Sequence, residues 1–542
     1  MVCSVSRIYE VQSSLRLIPC LDAAHPYSLF PIPYSLFPLL MTIKANSTKL
    51  NNSLDKSNKK VHLKQEETFQ WTKQWYPVAV VEFLAPSRPH KIQLLGKELV
   101  LWRDGSDQWR CFEDFCPHRL APLSEGRVEP DGTLLCAYHA WRFDAEGNCV
   151  SIPQSQDQET EVKNCSNPKS CAVAYPTQQN QGLLWVWPES GSKAQQESQL
   201  RKPRLIPELE SDSDRVVKLF WNIRDLPYGW DFFMENVADP AHVPVSHHGI
   251  MGSRYEDAKY YDMPCLREIS TQEGFSFAIN PTVETVAEAV HDFQPPCHMR
   301  IVTSYNDGGK LILALYAIPT RPGWCRHIGC QVLVKNEAGK TPEGLGFFAL
   351  PMPIWLGHVL ASVFLHQDLV FLHYQEKILA RRQQQDWLDA VYTPNPQDKM
   401  VITFRQWFKK RAGGTIPWDS GINDQLPNAE LDKKQLFDVW STHTKDCVVC
   451  QKALTNINRA TLISYGAAAL CLLIGIVMDA RAVAFKMAMT ADAVTISPFK
   501  VIPSIGLWLG IAGAILLVTI GYSFKRLSRL FYVYEFDHSK ND

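Results

Sequence analysis

The 542-residue chain has almost no net charge: 55 basic side chains are set against 56 acidic ones, leaving −1. That balance gives no electrostatic reason to expect nucleic acid as a partner. No G-x-G-x-x-G follows any strand-like run, so the chain has no evident nicotinamide or flavin site and electrons for a redox step must come from outside. Its 15 cysteines are odd in number and thinly spread, which argues against a secreted disulfide framework and for a reducing compartment. A charged start, an apolar run and a small-residue cleavage site do not follow one another at the N-terminus, so no export signal is read there. What is present exceeds one hydrophobic core, and two to four units are expected.

The order of those units is readable from composition. Residues 26–38, PYSLFPIPYSLFP, are a direct repeat whose four prolines prevent a helix, and an Asn/Ser/Lys-rich stretch follows from Met41 to Lys64. Residues 1–68 are therefore expected to be a disordered extension, with translation starting at Met41 or a processed leader. Short alternating runs such as HKIQLLGKELVLWR and GLLWVWP, separated by Gly, Pro and Asp turns, predict an all-β domain over 69–190. A polar linker is expected over 191–215, and a mixed α+β domain over 216–446, with a long helix starting near His366 and a proline-broken polar stretch from Thr393 to Asp446. A segment containing Cys447-Val-Val-Cys450 occupies 447–459, and a tail follows at 523–542.

Two apolar runs, Ala460 to Met478 and Ile502 to Tyr522, are each long enough to cross a hydrocarbon layer of about 30 Å, predicting a transmembrane hairpin over 460–522 rather than two buried soluble helices. Small residues at every fourth position (Ala467, Cys471 and Gly475; Gly506 and Gly510) suit close helix packing in lipid. Lys452 and Arg459 before the pair, and Lys525, Arg526 and Arg529 after it, favour the main domains on the cytoplasmic or stromal side. Arg481, Lys486 and Lys500 between the runs weaken that bias.

The strongest chemical signal is C-P-H-R at Cys116 to Arg119, followed, with seventeen residues between His118 and Cys136, by C-A-Y-H at Cys136 to His139. Each pair mixes a thiolate with an imidazole. A Rieske cluster uses that mixture, two cysteines holding one iron and two histidines the other; structural zinc is the competing reading. Gly126 and Gly147 are expected at turns that favour positive φ. The second constellation is E-N-V-A-D-P-A-H-V-P-V-S-H-H. Asn236, Asp239 and His242 recur every third residue and would share a helix face. His247 would bind the same metal as His242 only if the helix breaks between them, and Pro240 and Pro244 are the expected breakers. His248 competes with His247 by register. Two imidazoles and a carboxylate on one face of an iron are the ligand set with which non-haem Fe(II) enzymes activate O2.

The stretch CPHRLAPLSEGRV…CAYHAWRFDAEGNCV resembles the Rieske domain of ring-hydroxylating oxygenases, and from about Phe69 to the C-terminus the chain resembles the pheophorbide a oxygenase group. The membrane pair with C-x-x-C before it, DPAHVPVSHHG and DLVFLHYQE carry the latter likeness. That group includes the lethal-leaf-spot cell-death suppressor and a Rieske component of the chloroplast inner-envelope translocon. The resemblance implies a [2Fe–2S] cluster on Cys116, His118, Cys136 and His139, and a mononuclear iron on His242, His247 and Asp368. His366, His373 and Glu376 are rivals to Asp368, which is expected at a helix start. The resemblance also implies that Asp239 orients the iron-bound histidine and reaches a cluster histidine of a neighbouring subunit. It further implies a curved antiparallel sheet gripping a long helix, a head-to-tail homotrimer, and reduced ferredoxin as donor. The expected activity is oxygenation of a lipophilic tetrapyrrole with O2 at a membrane of a phototroph: thylakoid, plastid envelope or plasma membrane. The alternatives are a chlorophyllide or chlorophyll-catabolite hydroxylase, or a non-catalytic translocon-associated subunit. Cys447 and Cys450 read equally as a thioredoxin-addressed redox pair or as inert thiols.

Overall fold

The computed structural model describes residues 68–211, 213–280, 285–343, 345–346, 352–382, 387–489 and 503–540. The repeat at 26–38, Met41, Lys500 and Ile502 lie outside the described residues.

The first domain is built from three small antiparallel sheets. Tyr76–Val80, Leu183–Val186 and Thr177–Asn180 form one; His90–Leu94, Lys97–Arg103, Trp109–Glu113 and Ala174–Tyr175 form the second. The third, made of the short strands Arg127–Val128, Leu134–Leu135, Arg142–Phe143 and Cys149–Ser151, displays the two Cys/His loops. Its core joins Val100, Trp102, Phe112, Leu123, Leu134 and Phe143 to the side chains of Cys116 and Cys136. The hairpin between the first two strands of the second sheet turns at Leu95 and Gly96, both with positive φ (52° and 84°). A leucine is a poor choice for such a turn. It is held there because Leu95 is buried and its N–H reaches Pro319 O (2.9 Å) while that of Gly96 reaches Thr320 O (2.7 Å), seating the turn on the second domain.

The second domain is one seven-stranded antiparallel sheet in the order Val216–Leu226, Trp324–Val334, Lys310–Arg321, His298–Tyr305, Val286–Gln294, Gly274–Ile279, Cys265–Ser270. The helix Ile354–Arg381 packs on the first of these strands, where a Cβ at Gly357 would strike the ring of Phe220 at 2.3 Å. The α+β class and the sheet-with-helix arrangement stand as expected.

Several local expectations do not. The polar stretch at 191–215 contains the helix Gly191–Gln199, docked where Trp75 Nε1 donates to Ser198 O (3.1 Å); its burying residues, Ala194 and Ser198, are too small to register as an apolar stripe. Within the stretch Thr393 to Asp446 lies the helix Lys399–Arg411, whose Phe404 and Trp407 are buried and whose Arg405 pairs with Asp231 (2.6 Å) and Glu235. The long helix starts at Ile354, twelve residues before His366, so Asp368 sits in its middle and owes nothing to an N-terminal dipole. Gly126 has φ −78°, not a positive value; glycine is required there because a Cβ would lie 2.2 Å from Leu135 O. Gly147 does have positive φ (89°).

The helices Val448–Met489 and Ile505–Arg529 run against each other and are both long and apolar enough to cross a membrane. Their backbones come close at Gly475 and Gly510: a Cβ on Gly510 would meet Gly475 Cα at 2.7 Å. Cys471 also meets this seam, lying against Gly510 and Gly513; Ala467 is half-buried and its neighbour Ala468 is buried. Leu462, Ile463, Leu473, Trp508, Leu509 and Leu516 point outward. The helix Ile354–Arg381 is also long and apolar enough to cross a membrane, but it buries Gln367, Asp368 and Glu376.

Candidate metal centres

The two Cys/His loops are copies of one another. Cys116 N–H bonds Ala121 O and Leu120 N–H bonds Cys116 O; Cys136 N–H bonds Trp141 O and Ala140 N–H bonds Cys136 O, all at 2.8–2.9 Å. Leu120 (φ 59°) and Ala140 (φ 58°) take the same left-handed corner. Each corner buries its cysteine and turns its histidine outward. The thiols of Cys116 and Cys136 face each other, and the amides of Tyr138 and His139 point at the Cys136 sulfur, favouring its thiolate. The rings of His118 and His139 lie 4.5 Å apart, and Trp141 stacks on His118 at 4.6 Å. Two inner sulfurs and two outer imidazoles fit a cluster with cysteines on one iron and histidines on the other.

In the second domain the expected single helix face is not formed. The helix Trp230–Val237 ends before Pro240, leaving Asn236 inside it and Asp239 beyond it. His242 then caps a single turn, Val243–Ser246, and His247 follows that turn. Pro244 does not break this turn; it stands in the first positions, where a helix needs no N–H from it. One turn of helix brings the two histidines to the same side. Asp368 Oδ2 lies 3.2 Å from His247 Nε2 and 3.6 Å from His242 Nε2, and the three donor atoms lie within 4.8 Å of one another. Donors bound at about 2.1 Å and at right angles would be about 3 Å apart, so the set fits one ion with positions left open.

Hydrogen bonds from outside select the atoms that face inward. His247 Nδ1 donates to Gln367 Oε1 at 2.8 Å, and Phe364 stacks on the ring at 3.7 Å. His242 Nδ1 donates to the backbone carbonyl of Asp239, and Asn236 Nδ2 lies 3.4 Å from Nε2. The Asp239 carboxylate accepts the Ala241 N–H (2.8 Å) and stands 3.7 Å from His242 Nδ1 with 30% of the side chain exposed. Ser246 Oγ donates to Asp368 Oδ1. Burial opposes the charge on both His242 and Asp368, but their contacts win: Asp239 and Asp368 raise His242 to about 10, and His242 and His247 hold Asp368 below the usual carboxylate range.

The rivals are occupied elsewhere. His366 Nε2 accepts from buried Arg224 (2.8 Å), His373 bridges Pro227 O and Glu430 N–H, and Glu376 pairs with Lys377 (2.6 Å). His248 Nδ1 accepts the Arg254 N–H at 3.1 Å. Gln367, Phe364, Ser246 and Trp141 were not singled out in the sequence; Gln367 could have been, as the neighbour of Asp368 in a polar triplet within an apolar run. Cys447 and Cys450 lie in a separate buried cluster with His358 and His443.

Two family models match: the Rieske [2Fe-2S] domain over residues 74–166 and pheophorbide a oxygenase over residues 293–386. His242 and His247 fall between the two matches; Asp368 falls within the second. Among similar proteins, the chloroplastic pheophorbide a oxygenase of Oryza sativa is 33% identical over 449 residues, which cover 79% of this chain and 81% of the relative. Flavonoid 8-hydroxylase 2 of Ocimum basilicum is 32% identical, covering 73% of this chain and 76% of the relative. Protochlorophyllide-dependent translocon component 52 of Arabidopsis thaliana is 31% identical, with the same two coverages of 73% and 76%.

Proposed function

The chain belongs to the pheophorbide a oxygenase family of Rieske non-haem iron oxygenases, and from that premise we propose that it uses O2 and ferredoxin-derived electrons to oxygenate a lipophilic, chlorophyll-derived tetrapyrrole such as pheophorbide a. The observation that carries this reading is the convergence of His242, His247 and Asp368 from two segments more than 120 residues apart, since electron transfer alone needs no such open site. In this reading Cys116, His118, Cys136 and His139 hold the cluster, and His242, His247 and Asp368 hold the mononuclear iron. When bound, the cluster supplies single electrons and the iron activates dioxygen.

The protein's own groups prepare that chemistry. Gln367 and the Asp239 carbonyl fix the tautomers of His247 and His242, so both present a bare Nε2 once the proton on His242 is displaced. Ser246 holds one oxygen of Asp368 and leaves the other facing the histidines. Only 1% of the His247 side chain and 11% of that of Asp368 are exposed, while His242 is 20% exposed, so the set opens to solvent on the His242 side.

Residues 69–190 would receive the electrons, 216–446 would bind substrate, and 460–522 would anchor the chain beside a lipid phase into which a macrocycle partitions. The relatives' chloroplastic names support a plastid membrane, and the flanking cations support a stromal face for the catalytic domains. A head-to-tail trimer is supported by apolar side chains left exposed beside both sites: Leu120 (69%) and Tyr138 (60%) on the cluster loops, Val245 (45%) and Met251 (46%) beyond His242. Asp239, partly exposed beside His242, is the group we assign to meet a neighbour's cluster histidine.

The test is turnover of the purified protein with reduced ferredoxin and isotopically labelled O2, offered pheophorbide a, chlorophyllide a, protochlorophyllide and a flavone. A labelled tetrapyrrole product supports the proposal. Label in the flavone alone would replace the substrate class, and label taken only from water would remove the oxygenase reading.

A further inference from the structure

The residues around the C-x-x-C pair form a site that the oxygenase chemistry does not use. His358 lies on the long helix, His443 just before the pair, and Cys450 in the first turn of the helix Val448–Met489; all four side chains, Cys447 included, are buried. His443 Nε2 is 3.1 Å from His358 Nδ1 and 3.2 Å from Cys450 Sγ; His358 Nδ1 is 3.2 Å from Cys450 Sγ and 3.8 Å from Cys447 Sγ. The four donor atoms lie within 4.8 Å of one another.

We propose that His358, His443, Cys447 and Cys450 bind a structural zinc ion. With Zn–N of about 2.05 Å and Zn–S of about 2.3 Å, the edges of a regular tetrahedron run from about 3.3 Å between nitrogens to about 3.8 Å between sulfurs. The spacings found here fall in or just below that range. Two irons bridged by sulfide would spread their ligands further.

The surroundings select the same ion. His358 Nε2 donates to Trp221 O at 3.0 Å, and a carbonyl can only accept, so Nδ1 carries the lone pair and turns it on the sulfurs. His443 Nδ1 has no hydrogen-bond partner among the described residues, whereas its Nε2 faces His358 Nδ1 and Cys450 Sγ, so Nε2 is the nitrogen placed to offer a lone pair to an ion held between them. Two thiolates balance the charge of Zn2+, which removes the penalty of burying either alone beside Val359, Val439, Leu530 and Phe531. A disulfide between Cys447 and Cys450 would give neither histidine a role. Four protein ligands and no open position make the site structural, not catalytic. Its place says what it would hold: the first turn of the membrane-directed helix to the helix that carries Asp368 ten residues on, about 15 Å along the axis.

The experiment is elemental analysis of the full-length protein purified in detergent without added metal. About one zinc per chain is expected beside about three irons. His443→Ala and Cys450→Ser should each reduce zinc to below about a tenth per chain while the cluster spectrum persists. Protein grown on cobalt should show the visible bands of tetrahedral Co(II) and a thiolate charge-transfer band, both absent from His443→Ala. The proposal is overturned if the wild-type chain lacks zinc, whether its thiols are recovered free or as a Cys447–Cys450 disulfide. It is equally overturned if iron fills the site, or if the variants keep their zinc. Should the serine variant fail to fold, wild-type metal content and the cobalt spectrum decide. None of these readings depends on which substrate is oxygenated.

Discussion

Gln367 holds His247: the ring Nδ1 donates to the amide Oε1 across 2.8 Å, and the next residue along the helix, Asp368, meets the opposite ring nitrogen at 3.2 Å. One helix therefore supplies both the carboxylate and the group that orients a histidine from another segment. Gln367→Leu removes the acceptor and frees the tautomer. Iron affinity at the mononuclear site should fall roughly 10- to 100-fold, with the cluster spectrum unchanged. Iron titration of the metal-depleted variant measures this, and Gln367→Glu, which restores an acceptor, should recover part of the loss. Unchanged affinity in the leucine variant would remove the orienting role.

The same site should release a proton when it takes up metal. Without metal, His242 holds its proton up to about pH 10, because Asp239 and Asp368 outweigh the cost of burial. Iron needs the lone pair at Nε2, so binding expels about one proton, and apparent affinity should rise about tenfold per pH unit while the pH stays below that value. Asp239→Asn removes one of the charges and should flatten the slope toward the upper end. Calorimetry in buffers of different ionisation enthalpy counts the protons; a count of zero at neutral pH would contradict this picture.

Gly126 gives a test of the cluster fold. Its φ of −78° suits any residue, yet a Cβ would stand 2.2 Å from Leu135 O, the carbonyl just before Cys136. Gly126→Ala must push the two cluster loops apart, at a cost of about 1–3 kcal/mol. Lower acid-labile sulfide per chain and a broadened low-g signal of the reduced cluster are expected, with iron still bound at the second site. An alanine variant with full sulfide content would show that the loops can shift without loss.

Subunit exchange tests the trimer. Cys136→Ser should abolish the cluster and His242→Ala the mononuclear iron, so each alone is inactive. If one subunit's cluster serves its neighbour's iron, random mixing pairs a good cluster with a good iron at about a quarter of the interfaces, and activity should recover to about that fraction. Cys136→Ser mixed with a second cluster variant is the control. Absence of recovery in demonstrably mixed oligomers would confine transfer to one chain.

The hairpin prediction is the simplest. Ending the chain before Arg459 should release it from carbonate-washed membranes and leave the cluster intact, although the zinc site loses Leu530 and Phe531 and Gln367 loses its contact with His538. Gly510→Leu, placed where a Cβ would already lie 2.7 Å from Gly475 Cα, should splay the helices and leave the chain membrane-bound. A truncated chain that still sediments would show that another surface is the main anchor.

What the sequence determined by itself is whatever local chemistry and spacing encode. The paired C-x-H and C-x-x-H loops were legible because both ligands of each lie within four residues on one turn, and the turn repeats. The apolar runs of the hairpin and the short alternating strands of the first domain were legible for the same reason. Tertiary structure decided the rest. Asp368 was named through a likeness, but its place in mid-helix, facing two histidines from a segment more than 120 residues earlier, depends on how the long helix lies against the sheet. Pro240 and Pro244 marked a break without saying that one turn of helix would form between the histidines. The cluster of His358, His443, Cys447 and Cys450 shows the division within one site. H-x3-C-x2-C can be read from the chain, whereas His358, 89 residues before Cys447, carries no local signal at all. Its position is set by the packing of two helices, and contact between residues far apart in sequence is a property of the folded chain that spacing does not contain.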